Sequence, residues 1–220
     1  MPTFKTQALI LNKRPLKDAD RLYVLYTKDY GKIEAKVKSA ASSKSKLAGH
    51  LEPMSLSQVM IVKGRGMETI AGAQLIERFT FSDIRLQPLT ALAAEMVIKF
   101  VKPGLPDIRI YKLLLAFLNS LTNSINNLDE HRLLTLRFIW RFLSLLGYQI
   151  DPEQKEFTGF SSLSKESRQL LNNCLKEKAQ LTIFRASSKV VKELVDFTKE
   201  YLRYFAESDF RSYNYLRMYE

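Results

Sequence analysis

Cysteine is nearly absent from this chain of 220 residues: Cys174 stands alone. A single thiol excludes an intrachain disulfide and any multi-cysteine zinc site, and in the helix-like stretch LLNNCLKEK it is most simply core packing. Histidine is almost as scarce, with His50 and His131 far apart, so neither a metal set nor a nucleophile–base pair suggests itself. There is no glycine-rich phosphate loop ending in Lys-Ser/Thr and no Gly-x-Ser-x-Gly elbow. In the expected loops, acidic residues pair closely at Asp18/Asp20 and Asp151/Glu153; both read as solvated turn charges, with a general-acid or metal role as the alternative. The chain therefore reads as a non-enzyme without a cofactor. No apolar run approaches 18 residues and the first five residues do not form a signal peptide, so a soluble cytoplasmic protein with no membrane partner is expected. With 8 glycines and 7 prolines, low complexity is excluded as well.

Positive charge is what the chain has in excess. The formal net charge is +11 and the isoelectric point is near 9.6. Residues 1–80 carry 14 of the 34 basic residues and only 7 of the 23 acidic ones, so the first part is the more basic per residue. That is the electrostatic footprint of a nucleic-acid or anionic-membrane surface; a merely solubilising surface is the alternative. The charge has a focus. From Lys32 to Lys38 the sequence alternates strictly, Ile33, Ala35 and Val37 against Lys32, Glu34, Lys36 and Lys38. This is the period of a half-buried strand with a mostly cationic outer face. Ser39 to Gly49 follows, small and polar with Lys44 and Lys46, and predicts a mobile basic loop.

Four further strands are expected in the first eighty residues, at 4–12, 21–27, 54–62 and 68–76. The apolar run Ala8–Leu11 suggests burial on both faces, and Gly72 suggests a bulge. Five short strands joined by turns and one long loop fit a small closed β-barrel, of which the five-stranded oligonucleotide/oligosaccharide-binding (OB) barrel is the simplest candidate. From Leu86 the apolar period becomes helical. Helices are predicted at 86–101, after an Asp107 cap, from an Asp129 cap to Leu146, from Ser164 to about Lys178, and from Ser187 or Ser188 to Ala206. The fold class is α+β, with an OB-type domain at 1–80 followed by an all-α domain at 81–220, packed against each other rather than tethered.

An OB barrel holds single strands by a cationic groove together with base stacking on aromatics. The cations expected to converge are Arg14, Lys17 and Arg21 around the first turn, Lys36 and Lys38 on the third strand, Lys44 and Lys46 in the loop, and Lys63 and Arg65 in the Lys63-Gly64-Arg65-Gly66 hairpin. That hairpin resembles an anion nest but needs no ligand to explain it. The aromatic candidates are Tyr23, Tyr26 and Tyr30, of which at least one of the first two must face the barrel core. Phosphate contacts should therefore dominate, with weak sequence dependence and a steep salt dependence. In the helical half, Arg132, Arg137 and Arg141 lie beside Phe138 and Trp140. Arg137 and Arg141 share a face at i, i+4, as an acidic, hydrophobic peptide tail would want; ordinary solvation of the bundle's outer face is the alternative.

The order of short motifs resembles the RecO family of bacterial recombination mediators. The likeness runs through Ala8-Leu9-Ile10-Leu11, Tyr26-Thr27, Gly31-Lys32, Ala35 to Lys38, Lys44-Ser45-Lys46 and Leu51-Glu52-Pro53. It continues in Leu136-Arg137-Phe138 leading to Leu146-Gly147-Tyr148, and in the ending Arg211-Ser212-Tyr213-Asn214-Tyr215-Leu216. The resemblance implies an OB domain followed by a helical domain. It implies binding to single- and double-stranded DNA, strand annealing, and help in loading RecA onto strands coated by single-stranded-DNA-binding protein (SSB), in the bacterial cytoplasm with the nucleoid. RecR and the acidic C-terminal tail of SSB are the partners it implies, with a tail site near Arg137 and extending to Arg132. Two departures stand out. Many family members follow Leu-Gly-Tyr with a four-cysteine zinc module, whereas Gln149–Phe160 contains no cysteine, so no zinc module is expected. Ser39 and Ala41 also stand where relatives often carry glycine and arginine, leaving a larger share of the loop's charge to Lys44 and Lys46. Two other readings stay open: a helical protein-interaction adaptor with a barrel that merely packs, and an RNA-binding OB protein.

Overall fold

The structure is a computed structural model that describes residues 2–42, 45–64, 66–81, 83–124, 128–148, 150, 163–176 and 186–217. Lys44, Arg65, Asp151, Glu153, Lys178 and the cysteine-free stretch at 149–160, except Ile150, lie outside these residues. Five strands come first: β1 Thr3–Pro15, β2 Arg21–Thr27, β3 Gly31–Val37, β4 Ser55–Val62 and β5 Glu68–Arg78. They close into a barrel in the order β1-β2-β3-β5-β4. The seam is the length of β1. Its first half pairs with β4, Thr3 opposite Val62 through Leu9 opposite Leu56, and its second half pairs with β2, Ala8 opposite Thr27 through Pro15 opposite Arg21. This shared strand is why Ala8, Leu9, Ile10 and Leu11 are all buried. The pairing of β3 with β5 is parallel, through Ala35–Glu68 and Lys36–Thr69; the other pairings are antiparallel.

The interior follows the alternation of β3, with Ile33, Ala35 and Val37 packed among Ala8, Ile10, Tyr23, Leu25, Val59 and Ile61. A bulge falls where Gly72 predicts it: Met60 faces Gly72 but Ile61 faces Ile70, leaving Ala71 without an opposite residue. Gly31 is demanded twice over. Its φ is +69° and a side-chain carbon there would lie 2.4 Å from the carbonyl oxygen of Leu105.

The chain divides into two compact units, 1–80 with 94–111, and 81–93 with 112–220. In the first, the barrel is completed by the end of helix α1 (Gln87–Phe100) and the start of helix α2 (Ile108–Asn123). Here one expectation is corrected. Lys32 does not lie on a solvated face of β3: it is 9% exposed and its ammonium donates to the carbonyl of Ile98 at 2.6 Å. Residues 103–104 run beside it, Pro103 bridging to Lys32 and Gly104 N–H donating to the Lys32 carbonyl at 3.1 Å. Burial lowers the Lys32 pKa, and the last turn of α1, whose carbonyls lack intrahelical partners, supplies the acceptor. Tyr26 also turns toward this segment. Its hydroxyl donates to the carbonyl of Asp107 at 3.2 Å, and burial pushes its pKa up to about 12. The Asp107 carboxylate caps α2, accepting from Arg109 N–H at 2.8 Å.

The loop after β3 is anchored rather than unstructured in its described parts. Ser39 N–H donates to the Asp20 carboxylate at 2.8 Å, Ala41 N–H to the Ala19 carbonyl at 2.8 Å, and Ala40 and Leu51 are buried against the barrel core. Composition misses this because one alanine and one leucine suffice to pin a loop to an existing core.

The second unit is helical. Helix α3 (Leu128–Leu145) buries Leu133, Leu134, Leu136, Phe138, Trp140 and Leu143, the residues its period selects. It begins one residue before Asp129, which therefore sits in the first turn. Helix α4 (Lys165–Leu175) is capped by Ser164, and helix α5 (Ser188–Ala206) by Ser187. The indole N–H of Trp140 donates to Thr198 Oγ1 at 3.0 Å, and its ring packs on Tyr201 with centroids 4.9 Å apart. The Glu193 carboxylate accepts from Ser164 N–H at 2.7 Å and from both serine hydroxyls at the start of α4, which holds its pKa low. Short helix α6 (Asn214–Arg217) follows Tyr213, whose hydroxyl donates to the Val195 carbonyl at 2.6 Å.

Candidate nucleic-acid interface

The barrel gathers most of the expected cations at one end. Cross-strand register places Arg14, Leu22 and Lys36 in one row over β1, β2 and β3. Residues directly opposite share a face, so the two cations flank Leu22, itself buried, on the face turned away from the barrel interior. Arg21 lies opposite Pro15 and Val37. The Asp20–Ser39 and Ala19–Ala41 hydrogen bonds tie the first turn to the segment after β3, bringing exposed Lys17 beside exposed Lys38. Lys46 follows, exposed, just past Ser45, whose N–H donates to the Ser42 carbonyl at 3.0 Å. Few carboxylates oppose this group. Glu34 stands 3.7 Å from Arg14 across an exposed pair, a contact worth little, and Glu52 pairs with Lys13.

Lys63 reaches this group across the barrel closure. Its N–H donates to the carbonyl of Pro2; Val62, beside it, lies opposite Thr69, and Thr69 opposite Lys36, so two strand spacings, about 10 Å, separate the backbones of Val62 and Lys36. Lys63 also borders an aromatic group. Tyr30 packs on Phe4 with ring centroids 4.0 Å apart, and the Lys63 ammonium stands 5.7 Å from the centroid of Phe4. Of the three tyrosines considered for stacking, only Tyr30 has an exposed ring; Tyr23 and Tyr26 are fully buried. A cleft of about 720 Å³ opens beside Tyr30, between the β2–β3 turn, the β4–β5 hairpin and residues 103–106.

The arginines of α3 are engaged within the second unit. Arg132 is 9% exposed, its guanidinium 3.4 Å from the Asp129 carboxylate. Arg141 donates to the carbonyl of Leu175 at 3.0 Å, and Arg137 reaches toward the carbonyl of Asn173 at 3.5 Å. Both thus meet the C-terminus of α4, where terminal carbonyls and the negative end of the helix dipole favour a cation. Arg137 is half-buried, and desolvation lowers its pKa. Cys174, beside it, is buried and its thiol is pushed up to about 12, so it stays a protonated core group. Among the described residues no group of three or more His, Cys, Asp or Glu could hold a metal ion, and no helix is long and apolar enough to cross a membrane.

Two family models cover nearly the whole chain: recombination protein O N terminal matches residues 1–79, and recombination protein O C terminal matches residues 82–214. The chain belongs to the recombination protein O (RecO) family. It is 34% identical over 155 residues to a DNA repair protein RecO of Dehalococcoides mccartyi, an alignment covering 70% of this chain and 59% of that protein. A DNA repair protein RecO of Geobacter metallireducens is 28% identical, with 68% and 61% covered. One from Gloeothece citriformis is 36% identical over 114 residues, with 51% and 40% covered. The chain thus spans about three fifths of the length of the first two relatives. The family likeness read from the motif order is borne out. In this RecO chain the junction between the two family models falls at residues 80–81, whereas the first compact unit also takes in residues 94–111.

Sequence reasoning missed Phe4, Met67 and Glu68 at the cleft. Phe4 and Glu68 look like ordinary strand-end residues, and Met67 an ordinary hairpin one. What joins them is the closure of the barrel, which brings the first strand, the β2–β3 turn and the β4–β5 hairpin together from sixty residues apart.

Proposed function

We propose that this chain is a non-enzymatic DNA-binding recombination mediator whose barrel, of OB type, holds single strands at its basic end. One observation carries the reading: Arg14, Lys17, Arg21, Lys36, Lys38 and Lys46 cluster around one end of a closed five-stranded barrel, in a chain of the RecO family. Lys44 and Arg65 extend the set in sequence, and Lys63 contributes from the start of the β4–β5 hairpin. Such a surface neutralises phosphates without reading bases, so it binds single- and double-stranded DNA and favours annealing, because it screens two strands from each other.

The division of labour follows the chain: residues 1–80 contact nucleic acid, and residues 81–220 take protein partners and additional DNA contacts. Arg137 and Arg141 form the centre of a site for the acidic tail of SSB, and Arg132 supports it from within. With RecR, the protein helps RecA load onto SSB-coated strands during recombinational repair, in the cytoplasm and at the nucleoid. No catalytic residue, metal or cofactor enters this reading.

The test is fluorescence anisotropy of the chain with labelled single-stranded DNA, matched RNA and an SSB-tail peptide across a salt series, followed by annealing of SSB-coated complementary strands without ATP. DNA binding that weakens linearly in log salt, with ATP-independent annealing, is the expected result. A clear preference for RNA, or tail binding with no nucleic-acid binding, overturns it.

A further inference from the structure

The cleft beside Tyr30 is not a second copy of the basic end. Lys63 and Lys32 line it together with Asp29, Glu34 and Glu68, and the Lys32 ammonium is already committed to the Ile98 carbonyl. Among the described lining residues two cations meet three carboxylates, so these residues supply no surplus of positive charge to hold a cluster of phosphates. The cleft's exposed surfaces are flat or soft: the Tyr30 ring at 37% exposure and the Met67 thioether at 41%. At its edge one oxygen of Glu68, Oε2, is buried and has no hydrogen-bond partner. Burial raises the pKa of this carboxyl, and the Lys63 charge only partly offsets the effect. A wholly apolar occupant would leave that carboxyl unsatisfied, at a cost. A planar ring with N–H donors on one edge suits all three features.

We propose that this cleft takes one unstacked base of a bound single strand, its face on Tyr30 and its amino edge on the Glu68 carboxylate, with the adjoining phosphate on Lys63. The inference rests on the DNA-binding reading above and adds to it a preference where the basic end has none. Cytosine, adenine and guanine each carry an exocyclic amine that can donate to Glu68, whereas thymine offers carbonyl oxygens there. Met67 closes the other side of the ring with a polarisable sulfur.

The experiment compares the full chain's affinity for long labelled oligo(dC) and oligo(dT) by anisotropy at neutral pH and fixed salt. The expected result is oligo(dC) bound about fivefold tighter. Glu68→Gln, whose amide can donate to thymine as well as accept from cytosine, brings the ratio to near one. Tyr30→Leu, which keeps an apolar contact on Phe4 but removes the ring, weakens both oligonucleotides roughly tenfold; Tyr30→Phe restores them. Circular dichroism and urea midpoints confirm that each variant is folded. Equal binding of the two by the unmodified chain, an unchanged ratio in Glu68→Gln, or unchanged affinity in Tyr30→Leu overturns the base site. If the salt dependence persists in those cases, the DNA-binding reading stands without it; absence of binding to either oligonucleotide overturns both.

Discussion

The barrel and the helical unit each carry a group of cations, and the two groups are engaged differently. The Arg14 side chain is 61% exposed and its nearest carboxylate stands 3.7 Å away in solvent. The Arg132 side chain is 11% exposed, and Arg137 and Arg141 point at the last carbonyls of α4. A guanidinium on an exposed strand keeps its donors for a ligand. One set against a helix end spends part of its capacity holding two helices together, because the last carbonyls of a helix lack intrahelical partners. The barrel cations are thus expected to set DNA affinity with little effect on stability, and the α3 arginines to contribute to stability with little effect on DNA affinity.

The largest effect should come from removing the barrel group. Replacing Arg14, Arg21, Lys36 and Lys38 with alanine is expected to weaken single-strand binding more than tenfold at moderate salt and to flatten the salt slope by about 3. At exposed Arg14 and Lys38 each substitution should change the unfolding free energy by no more than about 0.5 kcal/mol. A salt slope equal to that of the unmodified chain would erase the contrast. Next in size, Arg137→Ala with Arg141→Ala should lower stability by roughly 1–3 kcal/mol in urea titrations, by loss of charge-assisted hydrogen bonds to α4, while the DNA salt slope stays as it was. Unchanged stability would mean that the α4 contacts are incidental and that the two arginines resemble the barrel set after all.

A smaller effect probes the loop. Lys44→Ala with Lys46→Ala should flatten the salt slope by the equivalent of up to about two phosphate contacts, which a titration of the double variant resolves. The smallest and most local change concerns Cys174. Buried, with its thiol pKa near 12, it should resist alkylation at neutral pH in the native chain. In the Arg137/Arg141 double variant, where α4 loses its hold on α3, labelling should rise; equal protection would show that packing alone keeps α4 in place.

Much of the architecture is written in periodicities. The alternation of β3, the bulge at Gly72, the Ser164 and Ser187 caps and the buried stripe of α3 all follow from local rules, because each depends on residues within a few positions. The failures share one cause. Alternation assigned Lys32 to the face opposite Ile33 correctly, but it cannot say that residues 98–104 cover that face. The i, i+4 spacing put Arg137 and Arg141 together, but not α4 beside them. Composition likewise marked 39–49 as unpinned, since a hydrogen bond from Ser39 to Asp20 spans another element. Charge clustering was half legible: the first turn and the third strand are adjacent in any barrel of this kind, whereas the approach of Lys63 to Lys36 follows only from the parallel pairing of β3 with β5.

Lys32 also bears on how the protein could be taken apart. Its acceptor, Ile98, and the Asp107 carbonyl that receives the Tyr26 hydroxyl both lie beyond the junction of the two family models, as does Tyr111, whose hydroxyl donates to Gln7 at 3.3 Å. A protease that cut the backbone between residues 80 and 94 would leave all five strands on one peptide and the residues that cover Lys32 and Tyr26 on the other. It would split the first unit into two peptides gripping each other, which should co-migrate under native conditions and part only in denaturant. A polypeptide ended at residue 80 would present the Lys32 ammonium and the Tyr26 ring stripped of their cover, and it should precipitate more readily than one carried through to residue 111.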